Sequence, residues 1–74
     1  MTYLQIVDHH GGTVKTIETP LTLREFVLIH WGAWGFYGIR KAATNKYLIY
    51  NKFENNQCYT VAKVKQGVKQ NETN

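Results

Sequence analysis

Only one stretch of this chain carries both a helix start and a helix period, and it spans three turns at most. Thr22-Leu23-Arg24-Glu25 fits a capping box, in which Thr22 accepts from the amide of Glu25 and the Glu25 carboxylate reaches back to the amide of Thr22. Leu23, Phe26, Val27, His30 and Trp31 then recur at i, i+3, i+4, i+7 and i+8, one apolar stripe of a helix. The pattern predicts a helix over Leu23 to about Trp31, stopped by Gly32 at the C′ position. Leu28 and Ile29 fall off the stripe, so the helix is apolar nearly all round. A helix this short does not stand in water alone, and burial on more than one side is expected.

Everything else that alternates does so with a period of two. Tyr3 to Asp8 reads as a strand with Leu4 and Ile6 on one side, His9-His10-Gly11-Gly12 as a turn, and Thr13 to Glu18 as a β-branched return strand. Thr19-Pro20 ends it, because proline has no amide to donate. After the helix come three further strands: Phe36 to Ala43, Lys46 to Phe53, and Gln57 to Lys65. Thr44-Asn45 and Glu54-Asn55-Asn56 supply the turns, asparagine tolerating left-handed geometry. The expected fold is a small α+β domain over residues 1–66, ββαβββ, with one short apolar helix packed on an antiparallel sheet whose other face is open. Residues 67–74 lack periodicity and read as a polar, disordered tail.

Alternation sorts the last three strands into two faces. One takes Tyr37, Ile39, Tyr47, Ile49, Phe53, Thr60, Ala62 and Val64, with Cys58 beside them, and is the expected core face. The other takes Phe36, Arg40, Lys46, Leu48, Tyr50, Lys52, Tyr59, Val61, Lys63 and Lys65. Basic heads between aromatic plates on an open sheet suit single-stranded nucleic acid, rings stacking on bases while Lys and Arg neutralise phosphates. The candidate nucleic-acid residues are therefore Arg40, Lys46, Tyr50, Lys52, Tyr59, Lys63 and Lys65. An exposed antiparallel face also carries Lys for solubility and Tyr in cross-strand pairs, and a one-residue slip would exchange the two faces.

The charge is as lopsided as the aromatics. Residues 1–30 hold Lys15 and Arg24 against Asp8, Glu18 and Glu25, a net of −1, whereas 31–74 hold seven Lys and Arg against Glu54 and Glu72, a net of +5. That asymmetry points to an anionic partner, or one with an acidic patch. A net charge of +4 excludes mimicry of DNA by an acidic surface. Seventy-four residues make one marginal core. The single cysteine, Cys58, allows no internal disulfide and fits a reducing cytoplasm. MTYLQIVDHH has neither a basic start nor an apolar run, so no signal peptide or membrane anchor is expected. Length, the Asn-, Lys-, Tyr- and Ile-rich composition and the polar close read as a complete small gene product of the phage or mobile-element kind.

Chemistry-bearing constellations are thin. His9, His10, His30, Asp8 and Cys58 are possible metal ligands, but no C-x-x-C or H-x-x-x-H pair anchors a site, and no metal or cofactor is expected. Cys58 with His30 could be drawn as nucleophile and base, and His9, His10, Arg40 and Lys63 as a small ribonuclease; nothing in the spacing favours either. There is no serine in the chain and no glycine-rich phosphate loop. The zinc-finger, leucine-zipper and RNA-recognition signatures are also missing. An enzyme is not expected.

Trp31, Trp34, Phe36 and Tyr37 crowd too many rings into one short segment for so small a core to bury. Trp31 is expected inside, and Trp34, Phe36 and Tyr37 at a protein-binding surface. The leading expectation is a non-enzymatic inhibitor, anti-CRISPR-like in kind, that docks in the host cytoplasm on a nucleic-acid-handling protein or ribonucleoprotein complex and blocks it. Direct single-stranded nucleic-acid binding by the basic face is the alternative. A homodimer joined through the apolar helix is the third reading.

Overall fold

Asp8 organises the first turn. Its carboxylate accepts from the amides of His10 at 2.9 Å and Gly11 at 3.0 Å, and its carbonyl accepts from the amide of Gly12 at 2.8 Å. Gly12 takes φ of 73°, which a Cβ would strain, and the chain reverses into a hairpin. The computed structural model describes residues 1–65; the polar tail expected over 67–74 lies outside them. The hairpin strands are β1 (Thr2–Asp8) and β2 (Val14–Thr19), and β3 (Tyr37–Ala43), β4 (Lys46–Asn51) and β5 (Asn56–Val64) come after the helical segment. The α+β class and the ββαβββ order are those the sequence predicts.

The sequence leaves open how hairpin and meander meet. β5 pairs with β4 on one side and β1 on the other, giving one antiparallel sheet of order β2-β1-β5-β4-β3. The first and last strands thus pair inside the sheet, and the helical segment lies over one face, with Arg24 beside Lys41 and Lys63 and with Phe26 and Trp31 beside Ile6, Ile17 and Tyr59. The capping box forms as read, with the Glu25 amide donating to Thr22 Oγ1 at 3.1 Å and the Thr22 amide donating to Glu25 Oε1 at 2.9 Å. Leu23, Phe26 and Val27 bury themselves against Leu4, Ile6, Ile49 and Val61, of which Leu4, Ile49, Val61 and Val27 are fully buried. These form the core cluster, with Ile17, Leu21, Trp31, Tyr37, Ile39, Tyr47 and Tyr59 packed half-buried around it.

The helical segment departs from the expected single helix. α1 spans Leu23–Val27 and continues as a π turn over Leu28–Gly32. A π turn closes i to i+5 and so holds one more residue than an α turn, which rotates the residues beyond it. Trp31 leans onto the sheet half-buried, and Leu28 and Ile29 stand 43% and 60% exposed. The segment is therefore buried on one side, correcting the expectation of burial on more than one.

Two further corrections come from β4 and β5. β4 stops at Asn51, whose Oδ1 accepts from the amides of Phe53 at 2.9 Å and Glu54 at 3.1 Å. That side-chain turn competes with the ladder, and Phe53, expected in the core, is 82% exposed. Asn55 takes the left-handed φ of 58° before β5 begins. In β5, Ile49 faces Tyr59 but Tyr50 faces Gln57, so a bulge at Cys58 resets the alternation. Ile6 pairs with Val61, Leu4 with Lys63 and Asp8 with Tyr59, putting Tyr59, Val61 and Lys63 on the helix side. Thr60, Ala62 and Val64 take the open face instead. The exchange is favourable because Val61 fills the core better than Thr60 or Ala62, and Cys58 stays buried within the bulge.

Candidate binding surfaces

The rings that crowd the sequence between Trp31 and Tyr37 line up in space. Trp31 packs on Tyr59 with centroids 5.2 Å apart, Tyr59 on Tyr37 at 6.5 Å, Tyr37 on Phe36 at 4.4 Å, and Phe36 on Trp34 at 6.0 Å. The row runs from the core to solvent, where Trp34 is 55% and Phe36 39% exposed. Backbone bonds fix the segment that carries them. The amide of Trp34 donates to the Trp31 carbonyl, that of Tyr37 to the Trp34 carbonyl, and that of Lys52 to the Phe36 carbonyl at 2.9 Å. Rings held this way lose little freedom on binding. Burial pushes the Tyr59 hydroxyl above the ordinary phenol value, with Tyr37 and Asp8 adding to the shift. Among the residues expected to bind protein, Trp34 and Phe36 are offered to solvent, and Tyr37 is the half-buried link behind them.

The residues expected to bind nucleic acid do not share one face. Arg40 lies opposite Leu48, Tyr50 opposite Gly38, and Lys46 opposite Ala62, all on the open side. The Arg40 guanidinium sits 5.7 Å from the centroid of the Tyr50 ring, within cation–π reach. Tyr50 in turn lies flat over Gly38, where any Cβ would collide with its ring. Arg40, Leu48, Tyr50, Asn55 and Gln57 outline a shallow depression of about 260 Å³. Beside it, Gln57 Nε2 donates to Thr60 Oγ1 at 3.0 Å, and His9 Nε2 shares a 2.7 Å bond with the same oxygen. The middle of this face is Gln5, Val7, Thr60, Ala62 and Leu48, uncharged rather than basic. Tyr59 and Lys63 belong to the covered side, and Lys52 to the turn after β4. The alternating basic and aromatic face read from the sequence is therefore reduced to Arg40, Lys46 and Tyr50. Lys63 also stands apart from His9 and Arg40, so the ribonuclease quartet is not assembled.

The cations gather at one end of the sheet instead. Lys41 and Lys63 meet Arg24, from the first turn of α1, around a depression of about 300 Å³ lined also by Thr22, Thr44 and Asn45. The β3–β4 turn is pinned there by the Lys63 amide, which donates to the Asn45 carbonyl at 2.8 Å. Lys46 starts β4 and Lys65 lies just past β5 at this same end. Arg24 and Lys41 are the members that sequence reading missed. Each sits in a different element, and only the sheet register brings them to Lys63.

A third depression lies between the helical segment and the β1–β2 hairpin, lined by Ile6, Ile17, Phe26, Trp31 and Tyr59, with Lys15 and His30 at its rim. His30 stacks on Phe26 with centroids 4.1 Å apart. Among the described residues no three His, Cys, Asp or Glu side chains come together as metal ligands, and no helix is long and apolar enough to cross a membrane. Comparison with protein-family models, curated proteins and solved structures found no match to this chain.

Proposed function

We propose that the protein is a non-enzymatic docking protein that binds a partner protein through the aromatic end of its sheet, with Trp34 and Phe36 as anchors. One observation carries the reading. Two large rings stand free in a segment whose backbone is already fixed by hydrogen bonds and whose inner end is tied by stacking to the core. A monomer of this size gains nothing from leaving them in water, whereas Trp at the centre of an interface is the commonest hot spot. The exposed Leu28, Ile29 and Phe53 add to the apolar surface that this chain offers.

The partner suited to this end has an apolar pocket with carboxylates or phosphates at its rim. Lys52 flanks Phe36 through their shared backbone bond, and the nearby Glu54 is turned onto Asn56, whose Nδ2 donates to it at 2.9 Å. A basic chain of 74 residues suits the acidic or nucleic-acid-bearing surfaces of a host nucleic-acid-handling complex, and blocking such a complex is the action its size supports. The test is a photo-crosslinking residue at position 34, with one at position 15 as control, followed by titration of the captured protein. Trp34→Ala with Phe36→Ala should weaken that complex at least about thirtyfold, with modest salt dependence. Equal capture at both positions, or equal affinity of the double variant, would remove the reading.

A further inference from the structure

The basic end carries a second, separate inference. Nine Lys and Arg are present in the chain, and with Lys69 outside the described residues eight remain. Five of those eight (Arg24, Lys41, Lys46, Lys63 and Lys65) lie at the end where β3 turns into β4, β5 finishes and α1 begins. Among the described residues Glu18 and Glu25 are the acids there, leaving a net of +3 for that set. Both acids are engaged: Glu18 Oε2 accepts from the Tyr3 hydroxyl at 3.2 Å, and Glu25 Oε1 from the Thr22 amide. Among the described residues no carboxylate lines the depression between Arg24, Lys41 and Lys63, and all three are exposed. Like charges from three elements would not converge on one concave surface for solubility alone, since their mutual repulsion costs stability.

We propose that this end binds the phosphodiester backbone of a nucleic acid. Lysines and an arginine supply charge, and the hydroxyls of Thr22 and Thr44 with the amide of Asn45 supply neutral donors of the kind that contact phosphate oxygens. The site is built for backbone and not for bases. Its one ring, Tyr47, is half-buried against the core, so there is no free plate on which a base could stack. Binding is therefore insensitive to sequence and steeply sensitive to salt. The inference does not depend on the docking reading, which uses the opposite end of the sheet, and either can fail without the other.

The experiment is fluorescence anisotropy of the full chain against a short labelled DNA duplex and a matching single strand, each across a salt series. Three neutralised phosphates give a slope of log K on log salt of about −2.7 for the duplex and about −2 for the single strand. Lys41→Ala with Lys63→Ala should weaken binding at low salt at least about tenfold and flatten the duplex slope by about 2. Lys41→Arg with Lys63→Arg keeps the charge and should keep the binding, as should Lys15→Ala with Lys52→Ala, which leaves this end intact. Absence of binding at low salt would overturn the proposal. So would an Ala pair that binds like the unchanged chain, or tighter binding to phosphatidylserine vesicles than to either DNA.

Discussion

The two ends of this sheet present opposite kinds of surface, and they are assembled in opposite ways. At the aromatic end Trp31, Trp34, Phe36 and Tyr37 are neighbours in sequence, and stacking with backbone bonds holds them in place. At the basic end Arg24, Lys41 and Lys63 come from a helix, an edge strand and an inner strand, and meet only because β5 pairs between β1 and β4. Rigid rings give geometry-dependent affinity, while long solvated cations give attraction that salt screens. One scaffold thus separates a fixed aromatic surface from a solvated cationic one, along the length of its strands.

The comparison breaks first at the scaffold. Leu4 and Ile49 are fully buried and hold α1 to the sheet between the two ends. Leu4→Ala or Ile49→Ala should cost about 2–5 kcal/mol. For so small a domain each kcal/mol lowers Tm by roughly 4–8 °C, which thermal circular dichroism reads. Both ends should fail together in these variants. An Ile49→Ala chain with an unchanged melt would mean that the core is not the one described.

Next in size is the separation itself. Trp34→Ala with Phe36→Ala should lower affinity for a protein partner at least about thirtyfold while leaving DNA binding and Tm unchanged. The Lys41→Ala, Lys63→Ala pair should do the reverse. Crossed effects, with the ring variants weakening DNA binding, would merge the two ends into one site. Glu25→Gln sharpens the basic end alone: the amide can still serve the capping box, but one negative charge is gone. DNA binding should tighten about two- to threefold, and its salt slope should steepen slightly.

How much of this was legible in the sequence differs between the two ends for a physical reason. Local signals carried the hairpin, the capping box and the aromatic segment, since each depends on residues a few positions apart. Alternation failed at Cys58, where the bulge shifts the phase and sends Tyr59 and Lys63 to the helix side. It failed again at Asn51, whose side chain ends β4 two residues early and frees Phe53. Leu28 and Ile29 are exposed as their place off the helical stripe implies, and apolarity alone misled in asking for their burial. The basic end could not be read without the register, because nothing in the chain states that β5 lies beside β1. The single basic and aromatic face came from carrying one alternation unbroken through β5, and through β4 on past Asn51.

Gly38→Ala tests whether the open face matters at all. Its Cβ would push the Tyr50 ring off the strand and disturb the Arg40 contact, while touching neither end. Partner and DNA binding should both persist, with at most about 1–3 kcal/mol lost from stability. Loss of either activity would restore the open face as a site.

The smallest effect expected is in alkali, and it distinguishes the ends by their chemistry. The Tyr59 hydroxyl is raised above 10.0 by burial among Trp31 and Tyr37, so the folded state prefers its neutral form. That contribution is complete below the unfolded phenol value and is lost as pH rises through the higher folded value. Stability should therefore slope downward above pH 10.0, and Tyr59→Phe should flatten part of the slope. Tyr3 is also raised, chiefly by the charge of Glu18 beside it, so Tyr3→Phe should remove a further part of the slope and Glu18→Gln should reduce that same part. Because Tyr59 ties the exposed rings to the core, its ionisation should quench or shift Trp emission before the chain unfolds. Emission that changes only with unfolding, without an earlier phase, would mean that the aromatic row is not mechanically joined to the core.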